Sequence, residues 1–255
     1  LCVGIALLDV EYVAKIDAHG YPERDFLSRA ILAFAQSPGD VACVGGRPRQ
    51  IGETEFGRAL ALARTSRFGV GSSGYANKAE FGFVDTVQCG VYRRRALVEV
   101  GGFDPAMNFG EDEEANWRLR RAGYRIVLDT RIQFHYFTRP TWVAAYRQYR
   151  NYGRARVAVI RKHPNFLKVH HLAPAVAVCG AALGLTLATA WRPARFPFAA
   201  AAAVYMGAAL LTAKALSDSA ETASPLRVAS AFAALHAGYG VGMVQGILRE
   251  LVPRQ

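Results

Sequence analysis

The chain is 255 residues long, carries a formal net charge of +11 and is 52% hydrophobic, enough for one or two domains. Its four cysteines, Cys2, Cys43, Cys89 and Cys179, form no Cys-x-x-Cys pair. That excludes a zinc ribbon or a disulfide frame and leaves free thiols of a reducing compartment. Nearly all the acids fall before residue 130, while residues 172 to 248 are mostly Ala, Val, Leu and Gly, so a soluble segment precedes a membrane segment.

Leu1 to Leu8 is an apolar run too short to cross a bilayer. Tyr12-Val13-Ala14-Lys15-Ile16 predicts a strand, ending in Asp17-Ala18-His19-Gly20. Asp17 and His19, at i and i+2, face one side of an extended segment, where open α/β sheets place ligand contacts. They can share a divalent cation held by few protein ligands, or Asp17 can simply close a turn on its own backbone. Pro22 to Ala35 predicts a helix with Phe26, Leu27, Ala30, Ile31 and Phe34 on one face. Ser37-Pro38-Gly39-Asp40 breaks it, and Val41 to Gly46 is the next strand. Strand, helix, strand suggests a parallel α/β sheet.

Residues 52 to 65 predict a helix, and Phe68 to Lys78 a Gly/Ser-rich loop. Phe81 to Tyr92 is expected to be extended, followed by a short helix from Ala96 to Val100. Then comes Gly101-Gly102-Phe103-Asp104-Pro105, which hands the chain to a helix opening with Glu111, Asp112, Glu113 and Glu114. Trp117 and Leu119 supply its apolar surface, Arg118, Arg120 and Arg121 fill its end, and Gly123 stops it. Acids first and cations last also complement the macrodipole of any surface helix. Strands are expected at Tyr124 to Asp129 and Ile132 to Tyr136.

From Trp142 to Lys162 the chain is aromatic and basic, which predicts an amphipathic helix at a membrane surface. Arg147, Arg150, Arg154, Arg156, Arg161, Lys162 and Lys168 precede the first long apolar run, as a cytoplasmic flank should. No motif accompanies them that would suit nucleic acid. Leu172 to Trp191 has no charged residue, Phe196 to Leu216 carries only Lys214, and Arg227 to Leu248 is diluted by His236, Gln245 and small residues. Two or three spanning helices are expected.

The order of these motifs resembles the C-terminal part of a family 2 glycosyltransferase, in particular the membrane-attached bacterial enzymes of succinoglycan-type exopolysaccharide synthesis. The most specific piece runs from Val84-Asp85-Thr86 through Arg93 to Gly101-Gly102-Phe103-Asp104 and Gly110-Glu111-Asp112-Glu113-Glu114. The resemblance implies an α/β fold: a GT-A (Rossmann-like) domain over residues 1–140, a basic aromatic interfacial segment over 141–170 and transmembrane helices over 171–250. The family's opening strand and Pro-x-x-Asn-Glu-like turn have no counterpart here, so the chain is expected to be N-terminally truncated.

Carried over by position, Asp112 matches the family's catalytic base, with Glu111 beside it. Asp17 matches its metal-binding Asp-x-Asp motif, with His19 in place of the second acid, which implies Mn²⁺ or Mg²⁺. Gln148-Tyr149-Arg150-Asn151-Tyr152 resembles the Gln-x-x-Arg-Trp motif of processive synthases with only Gln148 identical, so processive polymerisation is not implied. Gln148, Tyr149 and Arg150, with Asp85, are expected at the acceptor or the donor phosphates. The implied partners are a nucleotide-sugar donor (UDP-sugar above all), a lipid-linked or polysaccharide acceptor, and a membrane. The implied location is the bacterial inner membrane, multi-pass, with a cytoplasmic catalytic domain. A degenerate, non-catalytic partner of an active synthase is the competing reading. A transporter has little support, because the apolar segments carry few polar groups to line a path.

Overall fold

The computed structural model describes Ile5, Leu7 and residues 9–70, 80–220 and 222–251. Cys2, most of the Leu1–Leu8 run and most of the Phe68–Lys78 loop lie outside them. The chain forms two compact units, Leu1–Ile51 with Ser72–Phe137, and Gly52–Gly71 with Thr138–Gln255.

The first unit is built on a five-stranded sheet of β1 (Tyr12–Ala14), β3 (Val41–Gly45), β5 (Phe81–Val84), β6 (Val91–Arg93) and β7 (Arg125–Asp129), in the order β1-β6-β3-β7-β5. β3 is buried along its whole length, which explains its unbroken apolar run. Three further strands, β2 (Gly20–Pro22), β4 (Pro48–Ile51) and β8 (Phe134–Phe137), make a second sheet in the order β2-β8-β4. Helices α1 (Phe26–Ala35), α4 (Arg94–Glu99) and α5 (Glu111–Arg121) complete the unit.

The parallel sheet expected from the first fifty residues is corrected to a mixed one. In the larger sheet only β3 and β7 pair in parallel, and β6 runs antiparallel to both β1 and β3. β1 and β3 therefore share a direction but are not neighbours, because β6 lies between them. The helix expected from Pro22 starts at Phe26, since Gly20–Pro22 pairs with β8 instead. The extended run expected over Phe81–Tyr92 is broken into β5 and β6 by a turn in which Cys89 adopts φ 52°.

The second unit is helical. It comprises α2 (Glu55–Thr65), the single turn α3 (Arg67–Val70), α6 (Trp142–Lys162), α7 (Val169–Ala190), α8 (Arg195–Ala220) and α9 (Pro225–Leu251). Thr54 and Thr141 cap α2 and α6 through side-chain oxygens that accept from Gly57 N and Ala144 N, satisfying backbone donors at the helix starts. Ala59, Leu60, Ala63, Ala145, Tyr149, Val228, Phe232 and Leu235 share one apolar cluster with Ala209 and Ala213 of α8. α7, α8 and α9 are each long and apolar enough to cross a membrane, with mean hydropathy of 1.8, 1.6 and 1.3 over their best windows.

Candidate active site

The site in the first unit gathers where β1 ends and α5 begins. Gly110 caps α5 at φ 72°, a left-handed conformation that glycine adopts without strain, and this aims the first turn of four carboxylates. At the other end Tyr124 N bonds Leu119 O at 3.0 Å and Gly123 N bonds Arg120 O at 3.1 Å, a Schellman stop with Gly123 at φ 94°.

The four acids divide by environment. Glu114 is fully buried and is gripped by Arg118, whose Nε and Nη2 reach its carboxylate at 2.9 and 2.7 Å. The same guanidinium donates to the carbonyls of Val100 and Gly102, so it staples the Gly101-Gly102 turn to α5. Asn116 Nδ2 donates to Thr86 Oγ1 at 2.8 Å, which ties α5 to the β5–β6 turn. Glu114, Arg118 and Asn116 are therefore architecture.

Glu111 and Asp112 look the other way, toward a buried ammonium. Lys15, on the residue after β1, places Nζ 2.7 Å from Asp17 Oδ1 and 3.0 Å from Glu111 Oε1, with its side chain 6% exposed. Burial works against the Lys15 ammonium, but Asp112, Asp17 and Glu111 outweigh it and hold its pKa above the ordinary value. Burial likewise disfavours the Asp17 carboxylate, yet Lys15, a hydrogen bond from Gln88 and the nearby His19 bring its pKa below the usual range. Asp112 is different: burial, reinforced by Glu111, Glu113 and Asp17 and opposed by Lys15, pushes it up to about 6. A carboxylate with a raised pKa in a cluster of acids is the pattern expected of a general base.

Among the sequence-predicted residues, the structure thus brings Asp17, Glu111 and Asp112 around Lys15. His19 sits beside them, its ring edge-on to Tyr136 with centroids 4.6 Å apart. Asp85 is half-exposed and paired to Arg120 Nη1 of α5 at 3.2 Å. Gln148, Tyr149 and Arg150 belong to the second unit. There Gln148 and Tyr149 are buried, Gln148 Nε2 donates to Tyr152 OH at 2.9 Å, and Tyr149 joins the apolar cluster. Lys15 and Gln88 were missed by sequence reasoning. The signal for Lys15 was available, since the same i, i+2 rule that pairs Asp17 with His19 pairs Lys15 with Asp17. Cys43, Cys89 and Cys179 are free thiols, and burial pushes Cys89 up to about 12, which disfavours its thiolate form.

No three His, Cys, Asp or Glu side chains among the described residues converge to hold an ion by themselves. Asp17 and His19 are of the donor types that a divalent ion accepts when substrate oxygens complete its shell, and Asp17 is paired with Lys15 Nζ in this structure.

A family model described as Glycosyl transferase family group 2 matches residues 12–213. The chain belongs to this glycosyltransferase family. It is 31% identical over 179 residues to the succinoglycan biosynthesis protein ExoA of Rhizobium meliloti, a match covering 70% of this chain and 53% of the relative. It is 29% identical over 163 residues to a Methanococcus voltae dolichyl N-acetyl-alpha-D-glucosaminyl phosphate 3-beta-D-2,3-diacetamido-2,3-dideoxy-beta-D-glucuronosyltransferase, covering 62% of this chain and 50% of that one. The chain therefore spans about half the length of these two curated relatives. Among solved structures, the mannosyltransferase PcManGT of Pyrobaculum calidifontis, in complex with GDP-Man and Mn²⁺, superposes with a TM-score of 0.62 at 17% identity. That match covers 97% of this chain and 65% of the other. The fold is GT-A-like mixed α/β, followed by long apolar helices.

Proposed function

We propose that this glycosyltransferase-family chain carries the base and metal side of an inverting, membrane-bound hexosyltransferase. It would transfer a sugar from a nucleotide-sugar donor, UDP-sugar above all, to a lipid-linked or polysaccharide acceptor of exopolysaccharide or cell-envelope glycan synthesis. The observation that carries this reading is the juxtaposition of Asp112, raised to about 6, with Asp17, Glu111 and Lys15 at the end of a strand.

Asp112 accepts the proton of an acceptor hydroxyl as that oxygen bonds the anomeric carbon and the carbon–diphosphate bond breaks. At neutral pH a group with a pKa near 6 is mostly ionised, so it is ready to accept. Lys15 keeps Asp112 from rising further and holds Glu111 and Asp17 together. Asp17 and His19 would hold a divalent ion, Mn²⁺ or Mg²⁺, which when bound offsets charge on the departing nucleoside diphosphate. Imidazole is a better ligand for Mn²⁺ than for Mg²⁺. Asp85 and Arg150 are proposed to serve the acceptor or the donor phosphates, while Gln148 and Tyr149, buried in α6, would act by positioning that helix and not by touching substrate.

The residues beyond 140 support a place at the bacterial inner membrane. α6 is basic and aromatic along its length, and α7 and α8 have only 11% of their apolar windows buried by protein. Cations flanking the first apolar helix favour the cytoplasmic side for α6 and the catalytic unit.

Calorimetry of UDP binding in the presence of Mn²⁺, with Asp17→Ala as the comparison, tests the reading. Saturable binding lost in the variant is expected, and equal binding by both chains contradicts the metal assignment. Lys15 Nζ already neutralises Asp17 and Glu111, and this favours a second reading, a non-catalytic partner of an active synthase. Absence of UDP binding in both chains would select it.

A further inference from the structure

We infer that α9 does not cross the membrane but lies along its face, paired with the basic helix α6, so that only α7 and α8 span. The inference rests on the membrane anchoring proposed above and concerns one helix that composition alone would count as a third span.

The first observation is how α9 meets α6. Trp142 Nε1 donates to Ser230 O at 3.0 Å, Arg156 Nε to Tyr239 OH at 2.9 Å, and Arg154 Nη2 to Gln245 Oε1 at 2.5 Å. The two helices therefore run side by side in the same direction. Gly238, Gly242 and Gly246 recur every four residues on the contact face. A Cβ at Gly242 would strike the Arg150 carbonyl, one at Gly238 the Tyr146 carbonyl, and one at Gly246 the Val157 side chain. From the other side, a Cβ at Gly153 would strike the Tyr239 carbonyl. Backbones this close cannot be separated without losing the packing of both helices.

That contact sets the charge argument. Arg147, Arg150, Arg154, Arg156, Arg161 and Lys162 lie on α6. If α9 entered the hydrocarbon core, α6 would go with it and carry cations to a depth where each is strongly disfavoured. Placed along the membrane face, the exposed Arg147, Arg161 and Lys162 meet anionic head groups, where they attract.

The second observation concerns depth. A short turn, Arg192–Ala194, joins α7 to α8, so the start of α7 and the end of α8 lie on one side of a two-helix hairpin. α9 touches the hairpin on that side. Gly240 abuts Pro174 and Val178 of α7, and Ala209 and Ala213 of α8 join the cluster with Val228 and Phe232. The far half stays uncovered, with Leu183 61%, Phe196 81% and Val204 74% exposed. Meanwhile the first half of α9 is anchored to α2 and α3, both too short to span a membrane: Arg227 Nη2 pairs with Glu55 Oε2 at 2.5 Å, and His236 Nε2 meets the Phe68 carbonyl at 2.7 Å. Half of its apolar window is buried by protein, so its hydropathy serves a protein core.

The consequence is topological: Arg249 lies on the same side of the membrane as α6, and Trp191 on the opposite side. The test labels single cysteines with a membrane-impermeant maleimide in intact spheroplasts and after lysis. Trp191→Cys and Arg249→Cys are each introduced into the full chain, in a Cys2→Ala, Cys179→Ala background. The inference expects Trp191→Cys to label in intact spheroplasts and Arg249→Cys only after lysis. Labelling of Arg249→Cys together with Trp191→Cys in intact spheroplasts overturns it, because α9 then crosses. If Trp191→Cys labels only after lysis, the hairpin anchor itself is wrong and the inference falls with it.

Discussion

Charge gathers in two places in this molecule, and it is handled oppositely in each. Around β1 and α5 it is buried: Lys15 sits among Asp17, Glu111 and Asp112, and Glu114 is sealed under Arg118. Along α6 it is spread over a helix face, with Arg147, Arg161 and Lys162 exposed. A buried charge is costly unless paired, and breaking one partner strands the other. Exposed charges act weakly one by one and are screened by salt. The first arrangement suits chemistry at a fixed point, the second attraction to an extended surface.

The comparison breaks first at Glu114→Gln. Removing the carboxylate from under a guanidinium that is 16% exposed leaves a buried cation unpaired, and a stability loss of about 3–5 kcal/mol is expected, read by chemical denaturation. A loss below about 1 kcal/mol would mean the fork is incidental. Next comes Lys15→Met. Lys15 lowers the pKa of Asp112, so its removal must move the rising limb of the transfer pH profile above its expected place near 6. An unmoved limb would dissociate Lys15 from the base.

On the exposed side, replacing Arg147, Arg161 and Lys162 together by Gln is expected to weaken the attraction of α6 to anionic head groups by about 1 kcal/mol per residue, read on the membrane-reconstituted protein as reduced quenching of Trp142 by brominated anionic lipid, with the difference shrinking as salt rises. Salt-independent weakening would point to a packing role instead. The smallest effect is expected at Asp85→Asn. Its pair with Arg120 is 49% exposed on the Asp85 side, so stability should change by about 0.5 kcal/mol or less, and a larger loss of transfer than of stability would support a role toward substrate.

Local chemistry was the part legible in the sequence. α6 spans Trp142–Lys162 as expected because its cap, its aromatic spacing and its basic end agree, and α5 begins and ends where its glycines put it. Pairing was not legible. Nothing in the periodicity of Val91–Arg93 says that it inserts between β1 and β3, since a strand pattern names a face and not a neighbour. The carboxylates of α5 were legible as a group but not as individuals. Glu114 and Asp112 differ only by half a turn, and it is tertiary packing that seals one under Arg118 and raises the pKa of the other. The third apolar helix shows the same limit, because hydropathy reports burial without saying whether lipid or protein provides it.

Asp112 also carries a stability consequence with a definite sign. Its folded pKa of about 6 lies above its ordinary value of 3.8, so the folded state favours the protonated form. That contribution is fully present below pH 3.8 and is lost as pH rises through 6. Asp112→Asn should therefore raise the melting temperature at pH 8, as expected where a charge is kept for function against stability.

The most direct test of the central claim measures sugar transfer and UDP binding on one preparation of Asp112→Asn, in the full-length protein with Mn²⁺ present. The account predicts unchanged UDP affinity with transfer reduced by roughly 10²–10⁴-fold, the range expected when a general base is removed. Transfer at the wild-type rate, with UDP binding intact, would contradict it.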